Sequence, residues 1–162
     1  MGKKIIEATQ LVPCSVVLLS VKSKGKQDAM TATATFVAEN LPLLMVSVSK
    51  ESTCHELIEE SGELALNVAS VDQVGLARKL GATRGREIDK FKEFNIDIEP
   101  ATRIDAPLIT GSLANLECKV ITSMPASNYV VYLVEVVAHK SDEAKVPIAW
   151  YNNRYFSLDN GV

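Results

Sequence analysis

The alternation of apolar and polar positions is clearest between Asp28 and Phe36, where the chain reads Asp-Ala-Met-Thr-Ala-Thr-Ala-Thr-Phe. Side chains of a strand point in turn to its two faces. A strand here puts Thr31, Thr33 and Thr35 on one face and Met30, Ala32, Ala34 and Phe36 on the other. The hydroxyl face carries donors and acceptors and leaves room for close approach to the backbone. It suits a flat polar ligand. It suits an ordinary sheet equally well, because Thr is a good strand residue.

Strand signals dominate elsewhere. Residues 15–21 form a continuous β-branched and Leu run, fit for a strand buried on both faces. The polar turn Lys22-Ser-Lys-Gly-Lys26 follows. Asn40-Leu-Pro42 breaks the chain before a strand over 43–49, and another spans 63–69. Two longer strands are predicted over 113–124 and 129–139. Long strands joined by short turns favour a barrel. Three short helices fill the gaps. One opens on Thr53-Cys-His-Glu56, a capping-box pattern, and stops at Gly62. The second covers 73–80 and ends at Gly81. The third covers 86–94, with Ile88, Phe91 and Phe94 as its apolar stripe. The fold class is α+β, mainly β: a barrel with a few peripheral helices. No GxGxxG is present, and strands do not alternate regularly with helices, so a Rossmann fold is excluded.

Composition narrows the function. The 162 residues fit a single domain, 1–162, with a core that needs no staples. The net charge of −3 is no polybasic footprint, which argues against nucleic acid and anionic membrane as partners. No apolar run is long enough to span a bilayer, and the start has no adequate signal-peptide core, so a cytoplasmic protein is expected. Cys14, Cys54 and Cys118 are too widely spaced for a CxxC or zinc pattern. Cys14 and Cys118 lie in apolar runs and read as core residues. His55 and His139 have no metal partners in sequence.

The densest chemistry lies at the end of the third strand, Val46-Ser-Val-Ser-Lys-Glu-Ser-Thr53, which runs straight into a helix. A helix N-terminus carries free N–H groups and partial positive charge, and so attracts phosphate. Lys50 adds a full charge, and Ser47, Ser49, Ser52 and Thr53 add hydroxyls. Capping alone accounts for Thr53; it does not account for the density of Ser with Lys. Arg84-Gly-Arg86 and Asp89-Lys-Phe91 make a second basic spot within reach of the same phosphate, or else a surface turn. No acid–base set and no G-x-S-x-G elbow appears, so any redox chemistry falls to a bound cofactor.

The order of these motifs resembles the flavin reductase-like family of FMN-binding split β-barrels, which includes flavoredoxins and ferric reductases. The resemblance is carried by Pro13 before a buried strand, Ala29-Met-Thr-Ala-Thr33 with Phe36, and Leu41-Pro42. It continues through Ser49-Lys50 with Thr53, Gly62-Glu-Leu-Ala-Leu-Asn-Val68, Asp89-Lys-Phe91 and Leu113-Ala-Asn-Leu-Glu-Cys-Lys119. It implies FMN, with FAD as the alternative, held non-covalently in a homodimer. Thr31, Ala32 and Thr33 are then expected beside the isoalloxazine. Ser47, Ser49, Lys50 and Thr53 are expected near the ribityl chain and phosphate, with Lys90 and Arg86 as further phosphate partners. NAD(P)H is the implied electron donor. Reductases of the family often carry Gly-Asp-His after the Glu-Cys strand, whereas here the region reads Pro125-Ala-Ser-Asn-Tyr129. That departure raises a second reading, a flavoredoxin-like carrier fed by a redox protein partner. A third is a split barrel that has lost flavin. The aromatic tail, Trp150-Tyr-Asn-Asn-Arg-Tyr-Phe156, packs over the ligand or a partner, or else closes a barrel edge.

Overall fold

The computed structural model of the chain describes residues 2–162. A short helix, α1 (Gly2–Thr9), precedes β1 (Cys14–Ser15), β2 (Val17–Ser23), β3 (Lys26–Ala32), β4 (Ala34–Phe36) and β5 (Leu43–Ser49). Then come α2 (Thr53–Ser61), β6 (Glu63–Val68), a 3-10 turn over Val71–Gln73, α3 (Val74–Ala82) and α4 (Lys90–Glu93). The chain ends with β7 (Ile98–Glu99), β8 (Leu108–Ile109), β9 (Ala114–Ala126), β10 (Tyr129–Ser141), β11 (Ile148–Tyr151) and β12 (Arg154–Ser157). The main sheet has seven strands in the order β3-β2-β6-β9-β10-β5-β4. Its two edge strands, β3 and β4, are neighbours in the chain. The sheet therefore curls until its edges meet, and the barrel is split at Thr33.

This split corrects the first expectation. The Thr-rich segment is two strands, not one. β3 pairs with β2 (Ala32 opposite Val17), and β4 pairs with β5 (Ala34 opposite Val46). Ser15 holds the break. Its hydroxyl accepts from the Ala34 N–H at 3.2 Å and donates to the Ala34 carbonyl. Met30, Ala32 and Ala34 face the core as the alternation predicts, but Phe36 is exposed.

Two apolar clusters sandwich β2, which explains its unbroken apolar run. Inside the barrel lie Val17, Leu19, Val21, Val48, Leu66 and Tyr132, plugged by Cys54, Leu57 and Ile58 of α2. On the outer side, Val16, Leu18 and Ala29 pack against Ala77 and Leu80 of α3, with Phe91 and Ile148. The family-like motifs supply buried polar links. Asn67 donates to the Leu18 carbonyl at 2.7 Å and accepts from the Ile109 N–H at 3.0 Å and from Asn115 at 2.7 Å. Burial alone would raise the Glu117 carboxyl. The Thr102 and Arg103 N–H groups outweigh that and hold it below the usual range.

Several helix boundaries move. The N-cap of α2 is Ser52, not Thr53: its hydroxyl accepts from the Cys54 N–H at 3.1 Å. Gly62 is left-handed at φ 70°, and its N–H reaches the Ile58 carbonyl, as its sequence position predicts. Gly81 lies inside α3 rather than ending it. The helix expected over 86–94 shrinks to one turn, because Asp89 caps the Lys92 N–H and starts the turn late. Cys118 is buried as expected, whereas Cys14 is only half-buried. The aromatic tail forms a hairpin that joins β1 in a separate three-stranded sheet, with Trp150 and Tyr155 against the outer cluster. Among the described residues, no helix is long and apolar enough to cross a membrane.

Candidate functional site

Three openings adjoin along Thr31–Thr33. A cavity of about 570 Å³ lies at the N-terminus of α2, walled by Thr31, Ser49, Ser52, Thr53, Arg84 and Arg86. A cleft of about 270 Å³ runs over Thr31, Ala32 and Thr33 and is faced by Trp150 and Tyr155. A groove of about 640 Å³ begins at Thr33 and continues over Ser47, Met45, Phe36 and Val131. Thr31 is shared by cavity and cleft, and Thr33 by cleft and groove. The strand break thus forms the floor of one elongated surface, polar at the helix end and apolar at the other.

The cavity has the features of an anion cradle. Ser52 caps the Cys54 amide, which leaves Thr53 at the first helical position. Among the described residues, Thr53 Oγ1 is the buried side-chain oxygen with no hydrogen-bond partner. A buried hydroxyl left unpaired costs free energy, so a ligand oxygen beside it has a ready partner. Arg84 and Arg86 reach over from the loop that follows α3. Arg84 pairs with Glu51 at 3.6 Å, and Arg86 pairs with Glu56. A terminal phosphate fits this donor set: helix amides, an orphan hydroxyl and two guanidinium groups.

The predicted site residues divide. Ser49, Thr53, Arg86 and Lys90 line the cavity with Thr31. Ala32 and Thr33 line the cleft, and Ser47 lines the groove. The Thr31 hydroxyl is already engaged, donating to the Ala77 carbonyl at 2.6 Å, so at this position the backbone is what remains for a ligand. Two of the proposed cations are used elsewhere. Lys50 Nζ donates to the Ser127 carbonyl at 2.7 Å, and the Lys50 N–H donates to the Asn128 carbonyl at 2.9 Å. Lys50 therefore clasps the β9–β10 hairpin tip. The Lys90 ammonium is 3% exposed, 3.1 Å from Asp28 Oδ1, and donates to the Ala29 carbonyl at 2.6 Å. Its charge is neutralised by Asp28 at the cavity wall.

Sequence reading gave no role to Asp28 or Gly85, whereas Trp150 and Tyr155 of the aromatic tail face the cleft, in keeping with its expected place over a ligand. A glycine flanked by two arginines was the available signal for Gly85. Nothing local marked Asp28. Cys54, in the first turn of α2, has its thiol pushed well up by burial and by the Asp28 carboxylate. It stays protonated and donates to Asp28 Oδ2 at 3.4 Å, so it is an inert hydrogen-bond donor rather than a reactive thiolate. On the far side of α2, Tyr132 OH donates to Glu59 at 2.6 Å and lies 2.6 Å from His55 Nδ1. This polar chain ties the helix to β10. Burial first, and Glu59 second, raise the Tyr132 phenol.

The barrel is split at one strand, with a polar cavity at one end of the break and an apolar groove at the other. The chain belongs to the flavin reductase like domain family, whose pattern matches residues 9–159. It is 26% identical over 131 residues to the 4-hydroxyphenylacetate 3-monooxygenase reductase component of Escherichia coli, covering 80% of this chain and 76% of that one. The fold is shared with an NADH:FAD oxidoreductase of Streptomyces globisporus, at a TM-score of 0.86 and 22% identity, over 96% of this chain and 92% of that one. It is shared also with a flavoredoxin from Methanosarcina acetivorans, at a TM-score of 0.80 and 24% identity, over 93% and 87% respectively.

Proposed function

We propose that this flavin-dependent oxidoreductase holds FMN along the split strand, with the phosphate in the cavity and the ring over Thr31–Thr33 and the groove. The observation that carries the reading is the buried, unpartnered Thr53 hydroxyl at a helix N-terminus, in a cavity that shares Thr31 with the cleft over Thr31–Thr33. The bound flavin supplies electron transfer between a donor and an acceptor. The chain does the rest. Thr53, Ser49 and the α2 amides donate to the phosphate, and Arg86 and Arg84 exchange their Glu partners for it. Backbone groups of residues 31–33 orient the ring, and Met45, Val131 and Phe36 keep water from one side of it. The exposure of Phe36 and Met45 beside that groove supports a homodimer in which a second copy covers it.

The electron donor divides two readings. NAD(P)H is the first. A protein donor, as for a flavoredoxin-like carrier, is the second. It is favoured by the hairpin tip, where Ser127 and Asn128 present carbonyls to Lys50 and the sequence offers no imidazole.

Thr53→Val tests the cradle. The substitution removes a hydroxyl that has no protein partner, so the apoprotein keeps its stability. FMN affinity falls roughly tenfold, as for one lost charge-assisted hydrogen bond. Titration of FMN and riboflavin by fluorescence quenching reads this directly. Unchanged FMN affinity would remove the phosphate from this cavity. Stopped-flow mixing with NADH and NADPH then separates the donors: rapid bleaching of the flavin band marks a reductase, and bleaching by dithionite alone marks the carrier.

A further inference from the structure

We infer that the buried Asp28–Lys90 pair is the positioning device for phosphate recognition, setting the Arg84-Gly85-Arg86 loop against the N-terminus of α2. This rests on the FMN reading above and assigns part of its specificity to residues that need not touch the cofactor.

Asp28 lies on β3 and Lys90 opens α4, and each side chain is 3% exposed. Lys90 Nζ is 3.1 Å from Asp28 Oδ1 and 3.4 Å from Oδ2, and it also donates to the Ala29 carbonyl at 2.6 Å. Cys54 Sγ, from the first turn of α2, donates to Asp28 Oδ2 at 3.4 Å. The backbone of Gly85 packs over the same carboxylate, and a Cβ at that position would collide with it. Asp28 is fixed by two donors and cannot swing aside, so only glycine fits there.

One carboxylate therefore touches β3, α2, the arginine loop and α4. Each of these segments gives the cavity a lining residue: Thr31, Thr53, Arg86 and Lys90. Asp28 itself is not among the lining residues. The arginines on either side of Gly85 are otherwise held by exposed pairs with Glu51 and Glu56. Such pairs contribute little in water and do not fix a loop. The buried contact at Gly85 does, and the two arginines that flank it line the cavity. Bidentate recognition of a phosphate depends on that placement.

The readout is the ratio of riboflavin to FMN dissociation constants, which isolates the phosphate. Two variants perturb the device differently. Gly85→Ala pushes the loop away from Asp28. Asp28→Asn with Lys90→Met removes both charges at similar volume, a change that buried pairs tolerate far better than loss of one partner. Each is first shown to be folded by a cooperative thermal transition. In each, FMN binding weakens roughly ten- to a hundredfold while riboflavin binding stays at the wild-type value. If both folded variants keep the wild-type ratio, or lose both ligands equally, the positioning role is overturned and the FMN reading stands. If the wild-type chain itself does not prefer FMN to riboflavin, the FMN reading falls and the inference falls with it. Gly85 lies in a loop outside the regular elements, so Gly85→Ala carries the test alone should the double variant fail to fold.

Discussion

The cavity is bordered by ion pairs of two kinds. Asp28 and Lys90 are both 3% exposed, and the pair has Cys54 and the Ala29 carbonyl as further partners. Arg84–Glu51 has side-chain exposures of 74% and 72%, and Arg86–Glu56 of 58% and 52%. The charges are alike; the solvent is not. Two charges out of water hold each other because neither has anywhere else to go, and either one alone is expensive. Two charges in water exchange partners freely at a cost near zero. The buried pair therefore builds the cavity wall, and the exposed pairs leave arginines available to a ligand.

The largest effect should come from breaking the buried pair on one side. Lys90→Met leaves Asp28 buried and unpaired, and unfolding free energy falls by about 3–5 kcal/mol. Adding Asp28→Asn restores most of it. Urea titrations of the three variants check this, and equal stability of single and double variants would mean that the pair is not coupled. A second effect tests how dry the buried side is. Burial pushes the Cys118 thiol up to about 12, and Cys54 is raised in the same direction. Above about pH 8.5 the unfolded chain gives up thiol protons that the folded chain keeps. The unfolded state then binds fewer protons, so stability falls as pH rises from there through about 12. Between about pH 8 and about pH 10.5 the loss from Cys118 is about 2–3 kcal/mol, and Cys118→Ala flattens that part of the slope in urea midpoints. A flat profile in the wild-type chain would show that both thiols are hydrated. The smallest stability effect belongs to the exposed side. Arg84→Ala and Arg86→Ala each change stability by less than about 1 kcal/mol, while Arg86→Ala weakens FMN more than riboflavin. Calorimetry with each ligand measures both. A stability loss as large as that of Lys90→Met would erase the distinction between the two kinds of pair.

Much of the fold was legible because it rests on local rules. The 43–49 strand matches β5 at both ends, since Pro42 starts it and the helix turn stops it. Gly62 ends α2 because its position needs positive φ. The continuous apolar run of β2 announced a strand covered on both sides. The hydroxyl-rich entry to α2 was legible as a cluster of Ser and Thr before a helix, with Ser52 rather than Thr53 as its cap. What escaped depended on distant partners. The Thr-rich segment looked like one strand, because nothing local shows that Ser15 takes over the hydrogen bonds of Ala34. Lys50 and Lys90 looked alike as free cations. One is held by hairpin carbonyls from β9–β10 and the other by a carboxylate 62 residues earlier.

The order of apolar, hydroxyl and glycine positions by itself determined a mainly β chain, the place of its helix N-terminus and the family to which it belongs. The β character and the helix start follow from side-chain periodicity and backbone preference, which act over a few residues; the family follows from the shared order of motifs along the chain. Only the tertiary structure decided where the barrel splits, which hydroxyl is left without a partner and which charges remain in water. Burial and pairing belong to surfaces brought together from remote parts of the chain, and no window of sequence contains them.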